Sequence, residues 1–126
     1  MAAHASDERP TVMVVEDDTD VRQTLVELLV DEGYDARGAV NGRDALEMLR
    51  SDGRTGLILL DLRMPVMDGW EFRRQQRGDP DLSAIPVVVM SADGSLERKT
   101  EGMAAAAVLA KPVGLDHLLA TVQRFC

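Results

Sequence analysis

Apolar residues fall in two rhythms along this chain, and the rhythms alternate. Short unbroken runs form the first: Thr11-Val12-Met13-Val14-Val15, Leu57-Ile58-Leu59-Leu60, Ile85 to Met90, and Val108-Leu109-Ala110. Runs of this length predict strands buried on both faces, as in a parallel sheet covered by helices. A weaker run, Tyr34 to Ala39, predicts a strand at the sheet edge. Pro86, at the start of the fourth run, is tolerable because the first residue of a strand need not donate to the ladder.

Between these runs the spacing becomes helical. Val21, Leu25, Leu28 and Leu29 share one helix face, Asp18 or Thr19 can cap it, and Gly33 stands just past its end. Asn41 caps a second helix carrying Ala45, Leu46 and Leu49, which Asp52-Gly53 ends. Asp68-Gly69 opens a third, Trp70 to about Gln76, with a thin apolar face of Trp70 and Phe72. A polar fourth helix is expected from about Ser95 to Met103. A fifth carries Leu115, Leu118, Leu119 and Val122, with His117 off that face and solvated. Strand followed by helix, five times over, predicts an α/β doubly wound fold: a parallel five-stranded sheet with right-handed crossovers.

Composition adds limits. The chain has 126 residues, enough for one domain with one core. Residues 10–126 are expected to form that domain, after a flexible leader over residues 1–9 that lacks the apolar stretch of a signal peptide. The formal net charge of −8 argues against direct binding to nucleic acid, which needs Lys and Arg clusters. No run of about 18 apolar residues is present, so no membrane-spanning helix is expected. The single cysteine, Cys126, allows no disulfide within the chain and fits a reducing compartment, the cytoplasm.

The chemistry gathers at the strand ends. The first strand runs into Glu16-Asp17, the third into Asp61, the fourth into Ser91 and the fifth into Lys111. In open parallel sheets ligands bind outside the carboxyl ends of the strands, so these five residues can converge. Three adjacent carboxylates resist joint ionisation, and a hard dication such as Mg²⁺ relieves that strain while keeping waters for substrate oxygens. Lys111 and Ser91 can hold the remaining oxygens of a phosphoryl group, and Asp61 can serve as a carboxylate nucleophile.

The stretches Val14-Val15-Glu16-Asp17-Asp18, Leu60 to Gly69 (with Met64-Pro65 and Asp68-Gly69), Met90-Ser91-Ala92 and Leu109-Ala110-Lys111-Pro112 together resemble the receiver domain of two-component response regulators. The resemblance covers roughly Thr11 to Phe125. It implies a flavodoxin-like (βα)5 fold with strand order 2-1-3-4-5. It further implies that Asp61 accepts a phosphoryl group from a histidine kinase or histidine phosphotransfer protein. Asp17 would bind Mg²⁺ directly, Glu16 through water, and Arg63 through its backbone carbonyl, with Mn²⁺ as a substitute cation. Ser91 and Lys111 would hold phosphoryl oxygens, and the Lys111-Pro112 bond would be cis. The output would be phosphorylation-dependent protein binding through the fourth helix, fifth strand and fifth helix, by a monomer or weak phosphorylation-dependent dimer. Such a protein is a signalling phosphoacceptor and not an enzyme in the usual sense, catalysing at most its own phosphorylation and dephosphorylation.

Some positions depart from the receiver pattern. Val108 stands three before Lys111, where Tyr or Phe is usual, and valine cannot swing a ring between exposed and buried positions. Arg73 and Gln76 occupy third-helix positions where apolar residues are common. Arg63 and Asp93, two positions after Asp61 and Ser91, carry opposite charges and could pair across the site mouth or remain solvated. The alternative function is a receiver-like interaction module that works without phosphorylation. A flavodoxin-type electron carrier fits poorly, since Glu16-Asp17-Asp18 would repel a flavin phosphate where its binding loop should lie. A phosphatase using two aspartates one residue apart fits poorly too, since Arg63 occupies the second position. No Gly-rich Lys-Ser/Thr loop supports a nucleotide hydrolase.

Overall fold

The computed structural model describes residues 10–62, 66–91 and 104–126. Among the described residues, five strands and four helices follow in the order β1 (Thr11–Val15), α1 (Thr19–Asp31), β2 (Asp35–Ala39), α2 (Gly42–Asp52), β3 (Thr55–Asp61), α3 (Gly69–Arg77), β4 (Val87–Ser91), β5 (Ala107–Ala110) and α4 (Leu115–Phe125). The expected helix from Ser95 to Met103 lies outside the described residues. All strand pairs are parallel and the order is β2-β1-β3-β4-β5, a doubly wound sheet.

Period-two alternation between two covered faces explains why β1, β4 and most of β3 are buried, while the edge strands β2 and β5 are only partly so. Val12, Val14, Leu57, Leu59, Val88 and Met90 face Leu25 and Leu29 of α1 and Leu118 and Val122 of α4. Their neighbours Met13, Val15, Ile58, Leu60, Val87 and Val89 face Ala45, Leu46 and Leu49 of α2 and Phe72 of α3. Each such Leu, Ile or Val contributes roughly 1.5–3 kcal/mol of transfer free energy. The sheet is therefore clamped between two apolar layers, and only its ends are open to polar chemistry.

Helix boundaries follow local capping. The side chains of Asp18, Asn41 and Asp68 accept hydrogen bonds from the backbone N–H groups of Val21, Asp44 and Glu71, each satisfying one donor that the helix leaves orphaned. Of the two candidate caps for the first helix, Asp18 is the one used.

Several expectations need correction. β3 extends over Thr55–Asp61, so Asp61 is its last residue, and β4 starts at Val87 and includes Ser91. Trp70 is partly exposed, leaving Phe72 as the apolar anchor of α3. Leu115 is likewise exposed, whereas Thr121 is buried and donates its hydroxyl to the His117 carbonyl. The rest of the α3 core face is polar. Gln76 is fully buried, and its Nε2 donates to the carbonyls of Leu82 (2.9 Å) and Ile85 (3.0 Å). Arg73 in turn donates to Gln76 Oε1 at 2.6 Å and to the Ala104 carbonyl at 3.1 Å. Burial is tolerated because these groups are paired, and the network ties α3 to the loop before β4 and to the segment entering β5.

Candidate functional site

Register brings the site together. Val15 pairs with Leu60, so the next residues on β1 and β3 are Glu16 and Asp61. Asp61 pairs with Met90, and Ser91 with Ala110, which places Ser91 one step beyond Asp61 and Lys111 one step beyond β5. The Lys111 N–H donates to the Ser91 carbonyl at 2.9 Å, and the Glu16 N–H donates to the Ala39 carbonyl at 3.1 Å. These bonds continue the ladders past the strands proper and hold the chain ends in line.

Glu16, Asp17 and Asp61 each offer a carboxylate oxygen, and the three oxygens lie within 4.8 Å of one another. Glu16 and Asp61 are buried while Asp17 is exposed. Lys111 bridges the two buried acids: its Nζ donates to Glu16 Oε1 and lies 3.2 Å from Asp61 Oδ1. The second Glu16 oxygen, Oε2, accepts from the Asp18 N–H at 3.2 Å. Ser91 is 3% exposed, a hydroxyl buried at the floor of the site.

Electrostatics pull the bridge in two directions. Burial raises the Glu16 carboxyl above its ordinary value, outweighing the Lys111 and Asp18 hydrogen bonds that oppose it; the Asp61 charge adds to the rise. Burial acts downward on Lys111, but its hydrogen bond to Glu16 and the Asp61 charge outweigh it, so the ammonium is held above its ordinary value. The cluster therefore keeps its cation firmly and strains its most buried anion.

The oxygen-only donor set fits a hard dication such as Mg²⁺. Of the expected site residues, Glu16, Asp17, Asp61 and Lys111 meet in one cluster, with Ser91 at the adjoining strand end. Arg63, whose carbonyl was the expected further ligand, lies outside the described residues, as does Asp93. The Lys111-Pro112 bond is cis, as expected. Val108 sits half-buried in β5, paired with Val89.

Two features of the site surroundings escaped the sequence. Gly69, the first residue of α3, packs against the chain just after Asp61: a Cβ there would lie 2.8 Å from the Asp61 carbonyl oxygen. Arg22, on α1, reaches back to the loop bearing the acidic pair, and its Nη1 donates to the Glu16 carbonyl at 2.8 Å. A sequence clue existed, since Arg22 lies one helical turn after the cap Asp18, but helical periodicity places such a residue only on a face. Beside Lys111, an apolar groove of about 540 Å³ opens between α1 and the β5–α4 connection, lined by Val21, Leu25, Leu28, Met90, Pro112 and Val113.

Comparison with known proteins sets these features in a family. The profile of the response regulator receiver domain matches residues 12–123. The response regulator MprA of Mycobacterium tuberculosis is 39% identical over 114 residues, 89% of this chain and 48% of that protein. MprA of Mycolicibacterium vanbaalenii is 38% identical over the same share of each. The chain thus spans about half the length of the curated relatives it matches. Among solved structures, the Vibrio cholerae chemotaxis protein CheY4 aligns with a TM-score of 0.86 at 32% identity, covering 94% of this chain and 99% of that one. A response regulator receiver protein from Pseudomonas putida aligns with a TM-score of 0.85 at 33% identity, covering 92% and 97%.

Proposed function

The chain belongs to the response regulator receiver family, and from that premise we propose that residues 10–126 are a phosphoacceptor unit in which Asp61 takes a phosphoryl group from a histidine kinase or histidine phosphotransfer protein. The observation that carries this reading is the Lys111 ammonium set between the buried carboxylates of Glu16 and Asp61 at the carboxyl end of the sheet.

An Asp61 carboxylate oxygen attacks phosphorus in line with the donor's P–N bond. That bond breaks, and the departing imidazole nitrogen is protonated from solvent. Lys111 then pairs with a phosphoryl oxygen and the Ser91 hydroxyl donates to another, so the charge spread over the equatorial oxygens meets fixed positive partners. Asp17 and Asp61 directly, Glu16 through water and the Arg63 carbonyl would hold Mg²⁺ or Mn²⁺, which supplies positive charge to the phosphoryl oxygens when bound. The donor protein must cover the site mouth, and the apolar groove beside Lys111 offers it a dry surface to rest on.

The output reading is phosphorylation-dependent protein binding, by population shift of the surface around β5 and α4. No helix among the described residues is long and apolar enough to cross a membrane, and the family membership is what supports a cytoplasmic place for this unit. Acetyl phosphate with Mg²⁺ should add one phosphoryl group to the wild-type protein, read by intact mass, and none to Asp61→Asn. A folded wild-type protein that stays unlabelled would favour the interaction module that works without phosphorylation.

A further inference from the structure

We propose that Arg22 is a positioning residue that holds the Glu16-Asp17 loop in its cation-binding shape, and that Gly38 on the edge strand is the seat that lets it do so. The proposal rests on the metal-site reading above and deepens it.

The Arg22 guanidinium reaches two carbonyls of one loop and the first residue of its own helix. Its Nη1 donates to the Glu16 carbonyl at 2.8 Å and lies 3.4 Å from the Asp17 carbonyl, and its Nη2 lies 3.4 Å from Thr19 Oγ1. The backbone of Arg22 is itself fixed, its N–H donating to the Asp18 carbonyl at 2.9 Å. Glu16 is further tied by Lys111 and the Asp18 N–H. Asp17 is exposed, and among the described residues no hydrogen bond to its carboxylate holds it against the repulsion of two acids within 4.8 Å. Clamping the carbonyls on either side of the Asp17 Cα limits how far Asp17 can swing outward.

The clamp needs room. The Arg22 stem lies across β2 at Gly38, where an added Cβ would sit 2.8 Å from Arg22 Cδ and 2.9 Å from Cγ. Gly38 pairs with Val14, two residues before Glu16, so the stem crosses the edge strand directly beside the strand that feeds the acids. The crowded atoms are mid-stem, so any larger residue at position 38 displaces the guanidinium.

The sign of the effect separates this role from simple charge. Arg22 is a cation near a cation site, so Coulomb's law alone says that removing it should tighten Mg²⁺ binding. Positioning says the reverse. Supporting groups behind metal ligands commonly change metal affinity about 10- to 100-fold. Arg22→Met keeps the apolar stem and removes the clamp. Titrating Mg²⁺ against the melting temperature at fixed ionic strength should show roughly tenfold weaker binding in Arg22→Met. Gly38→Ala should show a similar loss, and the double variant no greater loss than either alone. Arg22→Lys, with one ammonium for the forked clamp, should fall between.

Unchanged or tighter Mg²⁺ binding in Arg22→Met, or additive losses in the double variant, would overturn the positioning role while leaving the metal site standing. A wild-type protein with no Mg²⁺ response would overturn both. If Arg22→Met does not fold, the affinity of Gly38→Ala decides: a loss supports the clamp and an unchanged affinity rejects it.

Discussion

Lys111→Met is expected to destabilise the metal-free protein by roughly 3 kcal/mol, a fall of about 10 °C in melting temperature for a chain of this size. Glu16 is 1% exposed and has Lys111 as its cationic partner. Removing one member of a buried pair leaves the other charged and unsolvated, which is the costly case. Lys111 is itself 22% exposed, so solvent softens the loss and the upper end of the usual 3–5 kcal/mol range does not apply. The deficit should depend on pH with a definite sign. The folded-state Glu16 carboxyl already lies above its unfolded value, chiefly through burial, and losing the Lys111 hydrogen bond raises it further. Between the unfolded and folded values the folded protein binds a proton that the unfolded chain does not. Stability from this group is therefore present in acid and lost as pH rises through the folded value, so the deficit of Lys111→Met should shrink toward lower pH. Adding Glu16→Gln should recover much of the stability at neutral pH without restoring phosphorylation. Thermal melts of the single and double variants from acid to neutral pH check this directly.

Asp17→Asn should move stability the opposite way. It removes one of three mutually repelling carboxylates, so the metal-free variant should melt above the wild-type protein. On the proposed metal site Mg²⁺ would bind only the folded state, and at a concentration ten times its dissociation constant it should stabilise the wild-type protein by about 1.4 kcal/mol. That is a rise of several degrees, which Asp17→Asn should abolish together with labelling by acetyl phosphate. A wild-type melting curve indifferent to millimolar Mg²⁺ would contradict the metal site.

Much of this arrangement was legible because parallel sheets turn sequence order into position. Unbroken runs such as Leu57-Ile58-Leu59-Leu60 mark strands buried on both faces, and whatever polar residue follows must emerge at one edge. The placement of Glu16, Asp61, Ser91 and Lys111 at that edge followed from that rule alone. What stayed hidden needed lateral register or side-chain pairing. Gly38 reads as an ordinary weak point in an edge strand until Arg22 is seen lying across it. Arg73 and Gln76 break the apolar pattern of α3, and their bonds to each other and to the carbonyls of Leu82, Ile85 and Ala104 help explain how they stay buried. Leu115 and Trp70 fit the periodicity yet remain exposed, because each stands in the first turn of its helix, at the edge of the packed layer.

Val108 sits half-buried in β5, paired with Val89, and carries no ring to swing, so on the proposed reading an output signal at β5 would travel by displacement of the strand or its neighbours. The Arg73 link from α3 to the Ala104 carbonyl offers one such mechanical connection.

The central claim is that Asp61 is the residue phosphorylated. Protein treated with acetyl phosphate and Mg²⁺, then reduced with borohydride, converts an aspartyl phosphate to homoserine, which peptide mass mapping locates. Homoserine at position 61, absent when Mg²⁺ is omitted, is the predicted result; no conversion, or conversion at Asp17 or another acid instead, would contradict the account.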